Sequence, residues 1–241
     1  MPTSTERLLG FHKLHGARAP RRLALMAAAV TVLASLAMPV EVLAQDAKAV
    51  PPAPAATADL SAELKKPGGV EDLVIGKADA PVTIHEYASL TCSHCATFHT
   101  KVLPALKTKY IDTGKVRLVL REFPLDNLAA AGSMLARCAG GEKTYALIGD
   151  LFAKQSDWAF VQGNPVPAMF KIAEAHGFTK ETFDKCLTDQ KLLDGVTGVR
   201  DHANKSLGVR STPTFFVNGK KMSERSDDIA SFDKVLEPLL K

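Results

Sequence analysis

Two cysteines separated by two residues stand at the beginning of a stretch with helical spacing. They are Cys92 and Cys95, and the apolar residues that follow lie at helical intervals: Phe98, Val102 and Leu106. The first turn of a helix has unpaired backbone N–H groups and the positive end of the helix dipole, which stabilise a thiolate. The spacing also lets the two sulfurs close a ring with little backbone movement. It therefore predicts a redox dithiol, in which Cys92 is the attacking thiolate and Cys95 resolves or re-forms the ring.

The same spacing also occurs in half of a zinc site and in purely structural disulfides. A zinc site needs further ligands, usually a second close pair of cysteines or histidines. Cys138 and Cys186 are far apart in the sequence, and His94 and His99 do not complete a usual spacing. We therefore favour the redox pair and expect neither a metal site nor a cofactor. His94 is then either a cation or donor that lowers the pKa of the Cys92 thiol, or an exposed loop residue.

An acidic residue lies in the apolar strand that leads into the cysteines. Glu86 stands six residues before Cys92, within a predicted strand over 82–87. A carboxylate in an apolar strand is costly unless it is paired or functional. Glu86 is therefore a candidate catalytic residue, and the alternative is a salt-bridged residue on an edge strand.

A proline opens a strand far downstream of the cysteines. Thr212 and Pro213 precede the apolar stretch 214–217. Because proline cannot donate to a strand ladder, Pro213 can be a simple turn or edge residue. With a redox dithiol, a cis-proline beside the cysteines would leave nearby backbone free to bind an extended substrate peptide. Thr212 and Pro213 are thus candidate substrate-binding residues.

The order of predicted elements indicates how these residues are held. Strands over 73–75, 82–87 and 116–123 enclose the helix after the cysteines, which implies a parallel βαβ unit. Helical spacing and helix-ending glycines then dominate 126–207. The strand 214–217, an Asn-Gly hairpin turn and a last helix capped by Ser226 complete a ββα unit.

The N-terminus resembles an export signal. A basic region ends at Arg22, the stretch 23–38 is almost wholly apolar, and small residues at 42–44 suit a signal peptidase. The alternative is an uncleaved membrane anchor. The full chain carries a formal net charge of +4. Residues 1–44 hold five basic and two acidic side chains, so the rest of the chain carries about +1. That balance gives no support to a nucleic-acid partner.

The chain is accordingly divided into four parts. Residues 1–44 are predicted as a signal peptide and 45–67 as an Ala/Pro-rich flexible leader. A thioredoxin-like domain is predicted over 68–125 and 208–241, with an inserted helical domain over 126–207. Export places the four cysteines where disulfides persist. With Cys92 and Cys95 as one pair, Cys138 and Cys186 remain as a predicted structural disulfide within the insertion, and buried free thiols are the alternative.

Together these features resemble the DsbA family of exported thiol–disulfide oxidoreductases. The resemblance covers about residues 70–241 and rests on the Cys-Ser-His-Cys segment at 92–95, on Thr212-Pro213 and on Glu86. It implies an α/β thioredoxin fold, βαβ–ββα, with an inserted helical domain between the halves. It also implies that Glu86 is a buried proton acceptor for Cys95. Ser93 stands where the family often has Pro, and Thr212 where the typical oxidase has Val, so the direction of the reaction stays open.

The resemblance leads to three hypotheses about function. The first is a monomeric periplasmic oxidase that donates the Cys92–Cys95 disulfide to unfolded exported proteins and is reoxidised by a DsbB-like membrane quinone reductase. The second is a disulfide isomerase or reductase of the same fold. Such relatives commonly carry an N-terminal oligomerisation region, for which residues 45–67 are too short and too rich in proline. The third is an exported metal-binding or interaction protein.

Overall fold

A five-stranded mixed sheet carries Glu86 on its middle strand. The structure is a computed structural model, and it describes residues 58–241. In chain order the strands are β1 Leu73–Ile75, β2 Val82–Ala88, β3 Val116–Glu122, β4 Thr214–Val217 and β5 Lys220–Lys221. Their order across the sheet is β1-β3-β2-β4-β5. β2 and β3 are parallel, and the other neighbouring pairs are antiparallel.

The crossover between β2 and β3 is one long helix, α2, that begins directly after Cys92. It consists of four consecutive helical segments: Ser93–Thr97, Phe98–Val102, Leu103–Leu106 and Lys107–Ile111. The second and fourth are π-helical turns. Pro104 has no N–H for the usual helical bond, and the looser turn before it lets the helix continue past this residue.

Aromatic side chains fill the space between the sheet and two helices on one of its faces. Phe98 of α2 lies 4.8 Å from Phe215 of β4 and 5.5 Å from Phe232, measured between ring centroids. Phe232 belongs to α9, Ile229–Leu236, which a short 3₁₀ turn, Glu237–Leu239, follows. Burying one such ring stabilises the fold by about 2–3 kcal/mol, so this cluster fixes α2 over the sheet.

Six helices lie between β3 and β4. They are α3 Asn127–Ala139, α4 Glu142–Ala153, α5 Gln155–Trp158, α6 Val166–Glu174, α7 Lys180–Leu187 and α8 Gln190–Ser206. Side chains of Asp126, Thr179 and Asp189 cap α3, α7 and α8. The predicted thioredoxin fold with a helical insertion is thus confirmed, while the exact domain boundaries at 68, 126 and 208 stay predictions.

Two local expectations differ from the structure. The last helix is capped by Asp228, whose Oδ1 accepts from Ser231 N at 2.7 Å, rather than by Ser226. Residues 58–67 were expected to belong to a flexible leader, yet Ser61–Leu64 forms a helical turn, α1, and Leu64 is 2% exposed. The reason is tertiary, because the buried Arg121 guanidinium donates to the Leu64 carbonyl at 2.7 Å.

The predicted signal peptide, its cleavage site and the leader up to residue 57 lie outside the described residues. Within residues 58–241, no helix has the length and apolar character needed to cross a membrane.

Candidate functional site

The two cysteines occupy different environments at the start of α2. Cys92 is the N-cap residue, with extended backbone angles, and its carbonyl accepts the first helical bond from Ala96 N at 3.1 Å. Cys92 is 8% exposed and Cys95 is fully buried. Both are free thiols in this structure. Cys92 thus stands at the start of the helix, and Cys95 is buried in its first turn.

The surroundings of Cys92 favour its thiolate. They lower the pKa of Cys92 to about 5, first because the Cys95 thiol donates a hydrogen bond to the sulfur. A hydrogen bond that the Thr212 hydroxyl can donate to the thiolate and the backbone N–H groups of Cys95 and His94 add to the effect, while partial burial opposes it. The backbone N–H groups are the unpaired donors of a helix start. Of the two sulfurs, Cys92 is therefore the one whose surroundings favour the thiolate.

The segment before β4 closes over the Cys92 sulfur. The Thr212-Pro213 peptide bond is cis, and β4 pairs antiparallel with β2, which brings this segment beside the cysteine loop. The Cys92 thiol donates to the Thr212 carbonyl at 3.3 Å. Among the described residues the buried Thr212 Oγ1 has no hydrogen-bond partner. Its hydroxyl can thus turn towards the sulfur when the thiolate forms.

Cys95 has the opposite electrostatic environment. Burial raises the pKa of the Cys95 thiol far above its ordinary range, and the hydrogen bond to Cys92 and the negative charge of Glu86 raise it further. Glu86 lies on the central strand β2 and is 0% exposed. The alternative of an edge-strand salt bridge for Glu86 therefore does not apply. A thiol with this environment needs a base before it can attack.

His99 is the residue that pairs with Glu86, and its role was not expected from the sequence. Its Nε2 lies 3.0 and 3.1 Å from the two carboxylate oxygens of Glu86. The imidazole stacks on Phe152 of α4, with ring centroids 4.2 Å apart. His99 had been considered only as a metal ligand. A readable signal existed, because His99 is four residues after Cys95 and so shares its helix face.

The His94 side chain is separate from this buried group. It is exposed, and it lines a shallow groove together with Pro213 and three residues that precede α9: Arg225, Ser226 and Asp227. His94 contributes to the low pKa of Cys92 through its backbone N–H. A direct effect of the imidazole on the sulfur stays a prediction.

Gln155 connects the helical insertion to the cysteine loop. It is 5% exposed, and its Nε2 donates to the carbonyls of Leu90 at 2.7 Å and Cys92 at 3.0 Å. The adjacent Trp158 is fully buried and donates to the Leu151 carbonyl, which anchors α5. The single-turn helix α5 has no periodic sequence signal, so this contact was missed.

The remaining cysteines are joined. Cys138 at the end of α3 and Cys186 in α7 form a disulfide with their Cα atoms 6.2 Å apart. The bond lies inside the insertion and ties two of its helices together.

In the described part of the chain, no cluster of three or more His, Cys, Asp or Glu side chains could hold a metal ion. The site as built offers one stabilised thiolate above one buried thiol, which is suited to disulfide exchange.

Comparisons with known proteins identify the family of this chain. The thioredoxin family matches residues 69–237. A Rickettsia bellii protein that carries a protein-disulfide oxidoreductase name is 36% identical over 168 residues, or 69% of this chain and 65% of that protein. The chain spans 60–65% of the length of the five Rickettsia relatives.

Solved structures extend the comparison. α-DsbA1 of Wolbachia pipientis matches with a TM-score of 0.66 and 30% identity, covering 70% of this chain and 91% of that chain. Oxidised BdbD from Bacillus subtilis shares the fold, with a TM-score of 0.60 and 23% identity, covering 72% of this chain and 96% of that chain. On the family match and on the Wolbachia structure, this chain belongs to the thioredoxin family, in its DsbA-like branch.

Proposed function

We propose that this protein is a thiol–disulfide oxidoreductase that acts as a dithiol oxidase on unfolded exported proteins. The observation that carries the proposal is the contrast within the dithiol, with the pKa of Cys92 lowered to about 5 and that of Cys95 raised. At neutral pH a thiol with an ordinary pKa is mostly protonated, whereas Cys92 is ionised. This stabilises the reduced form by up to about 2.7 kcal/mol, which corresponds to about 60 mV of oxidising power.

The reaction consists of two thiol–disulfide exchanges, and each breaks one disulfide bond of Cys92. A substrate thiolate attacks Cys92 Sγ, the Cys92–Cys95 bond breaks, and Cys95 leaves and takes up a proton. A second substrate thiolate then attacks the substrate sulfur of the mixed disulfide and releases the Cys92 thiolate. Two electrons pass from the substrate to the dithiol. Glu86, whose carboxylate acts on the Cys95 thiol, would pass this proton from solvent to the sulfur.

Substrate would bind along the cis segment beside Cys92. Thr212 and Pro213 lie next to the sulfur, and Pro213 itself has no N–H. An extended peptide can pair with exposed backbone here as an added strand, which holds its cysteine over Cys92. The shallow groove formed by His94, Pro213 and Asp227 continues from the same place.

The proposal includes the compartment and the partner. The N-terminal sequence resembles a signal peptide, so we place the protein in the periplasm, as a monomer. The disulfide between Cys138 and Cys186 suits an oxidising compartment. A DsbB-like membrane protein would return the electrons from Cys92 and Cys95 to quinone and restore the disulfide.

The test is the rate at which the oxidised protein forms a disulfide in a reduced peptide. We expect rapid oxidation by the wild type and none by Cys92→Ser. Cys95→Ala, whose Cys92 is first converted to a mixed disulfide with an aromatic disulfide reagent, should exchange the aromatic thiolate for the peptide thiol and then keep the peptide bound to Cys92. A Cys92→Ser protein as fast as the wild type would end the proposal.

A disulfide isomerase is the second candidate, and Thr212 before the cis-proline is the observation that favours it. In the resemblance noted above, threonine at this position is more frequent among isomerases. Reactivation of a substrate with scrambled disulfides, measured beside oxidation of a reduced substrate, separates the two activities. Efficient reactivation with little oxidation would reverse the order of the candidates.

A further inference from the structure

Glu86 and His99 form a buried pair in which the imidazole is the more exposed member. The Glu86 side chain is 0% exposed, whereas that of His99 is 6% exposed. Nε2 faces both carboxylate oxygens, at 3.0 and 3.1 Å. Within residues 58–241, no other side chain hydrogen bonds to this carboxylate. The imidazole is thus the member of the pair that contacts solvent.

Two periodicities bring Cys95, Glu86 and His99 to the same side of the sheet. Cys95 and His99 are four residues apart on α2 and therefore share one helix face. Glu86 points from β2 to the same side of the sheet as Ile84, which packs with the apolar residues of α2. The negative charge of Glu86 helps to raise the pKa of Cys95, so the carboxylate acts directly on that thiol.

Apolar walls surround the imidazole. Its ring stacks on Phe152 at an interplanar angle of 24° and meets the edge of Phe98 with centroids 5.3 Å apart. A proton taken up by Glu86 therefore needs a second group to reach solvent, because the carboxylate itself is fully buried and hydrogen bonds to the imidazole.

We propose that His99 is a positioning and proton-relay residue that acts through Glu86 to carry the Cys95 proton to solvent. The inference rests on the proposed thiol–disulfide function. It assigns to this chain a two-residue proton path, in which the carboxylate receives the proton and the imidazole exchanges it with water.

The step balances for closure of the dithiol on a bound thiol. The proton of Cys95 moves to a carboxylate oxygen of Glu86, and the Cys95 sulfur attacks Cys92 and expels the bound thiol as a thiolate. The pair has then gained one positive charge, and the His99 ring releases one proton to water. In the opposite direction, when a substrate opens the disulfide, the same path delivers one proton to the Cys95 thiolate.

An aromatic disulfide reagent that releases a coloured thiolate isolates this step. The reduced protein reacts in two bursts, first when Cys92 attacks the reagent and then when Cys95 closes the ring. In His99→Ala we expect the first burst to be unchanged and the second to slow about tenfold or more. Added imidazole should restore the second burst by entering the space left beside Phe152. His99→Gln, which keeps a donor to Glu86 but cannot accept a proton, should also be slow and should not respond to imidazole.

His176→Ala is the matched control. His176 pairs with Asp150 at 3.0 Å in the insertion, so its loss should leave both bursts at the wild-type rate, with or without imidazole. A wild-type second burst in either His99 variant overturns the relay, and so does a slow His99→Ala protein that imidazole leaves slow. If the wild type itself gives no second burst, the proposed function fails instead. If His99→Ala does not fold, the rate of His99→Gln decides.

Discussion

Acidification should destabilise the reduced protein through Cys92. The folded state lowers the pKa of this thiol to about 5, well below the ordinary value for an unfolded cysteine. A group with a lowered folded pKa contributes stability that is fully present above the unfolded value and is lost as the pH falls through the folded value. The contribution therefore declines from about pH 8.5 and is almost gone near pH 4, and Cys92→Ser should lack it.

The magnitude follows from the shift. At pH 7 the ionised sulfur stabilises the folded state by at most about 2.7 kcal/mol, and at pH 5 by about 0.4 kcal/mol. The Cys92 sulfur lies near the surface and is not fully shielded from solvent, which weakens such interactions, so we expect an observed loss of about 1–2 kcal/mol between these pH values. Cys95 adds nothing in this range, because its raised pKa keeps it protonated in the folded state.

The assay is urea unfolding of the reduced wild type and of Cys92→Ser at pH 7 and pH 5. A mild reductant that spares the Cys138–Cys186 disulfide is required, and mass measurement after alkylation verifies it. The wild type should lose about 1–2 kcal/mol more than Cys92→Ser on acidification. Equal losses in the two proteins would refute the reasoning, because the thiolate would then gain nothing from folding. Ultraviolet absorbance of the thiolate should independently titrate near pH 5.

Three further predictions concern the groups that hold the site. Gln155→Leu leaves two buried carbonyls without their donor and should lower the free energy of urea unfolding by about 2–4 kcal/mol. A loss below about 0.5 kcal/mol would show that the two hydrogen bonds of Gln155 do not stabilise the fold. Replacing both Cys138 and Cys186 by serine opens a loop with a sequence separation of 48 residues and should lower the free energy of unfolding by about 4 kcal/mol. An unchanged midpoint of thermal unfolding would contradict this prediction. Arg121→Met leaves the buried partners of the guanidinium without a donor and should lower the free energy of unfolding by about 3–5 kcal/mol, as measured by urea unfolding. An unchanged free energy of unfolding would mean that the fold does not depend on these hydrogen bonds.

The sequence was informative where a residue type is constrained locally. The dithiol is readable because two cysteines at that spacing before a helix have few uses. Glu86 is readable because a carboxylate in an apolar strand of period two needs a reason. The helical insertion is readable from its spacing and from its glycines. In each case the determining neighbours lie within a few residues of the position.

The sequence was uninformative where the determining contact is distant. Gln155 belongs to a single helical turn and reaches a carbonyl 63 residues away. His99 could be placed on the face of Cys95, but its contact with Glu86 depends on how α2 lies over the sheet. Ser226 and Asp228 are equally good caps by residue type, and only the position of the helix start distinguishes them.

The buried guanidinium of Arg121 has a consequence for where this protein can be shortened. Its side chain is 1% exposed and donates to the Asp72 carboxylate at 2.6 Å and to the Leu64 carbonyl, both of which precede it in the chain. Trimming the chain at residue 68, where composition alone would begin the domain, would remove the second of these partners and uncover the charge. A protease that cuts after α1 would do the same. The stretch before the first strand is therefore part of the folded unit, because it satisfies a buried charge. A fusion partner should be joined upstream of residue 58.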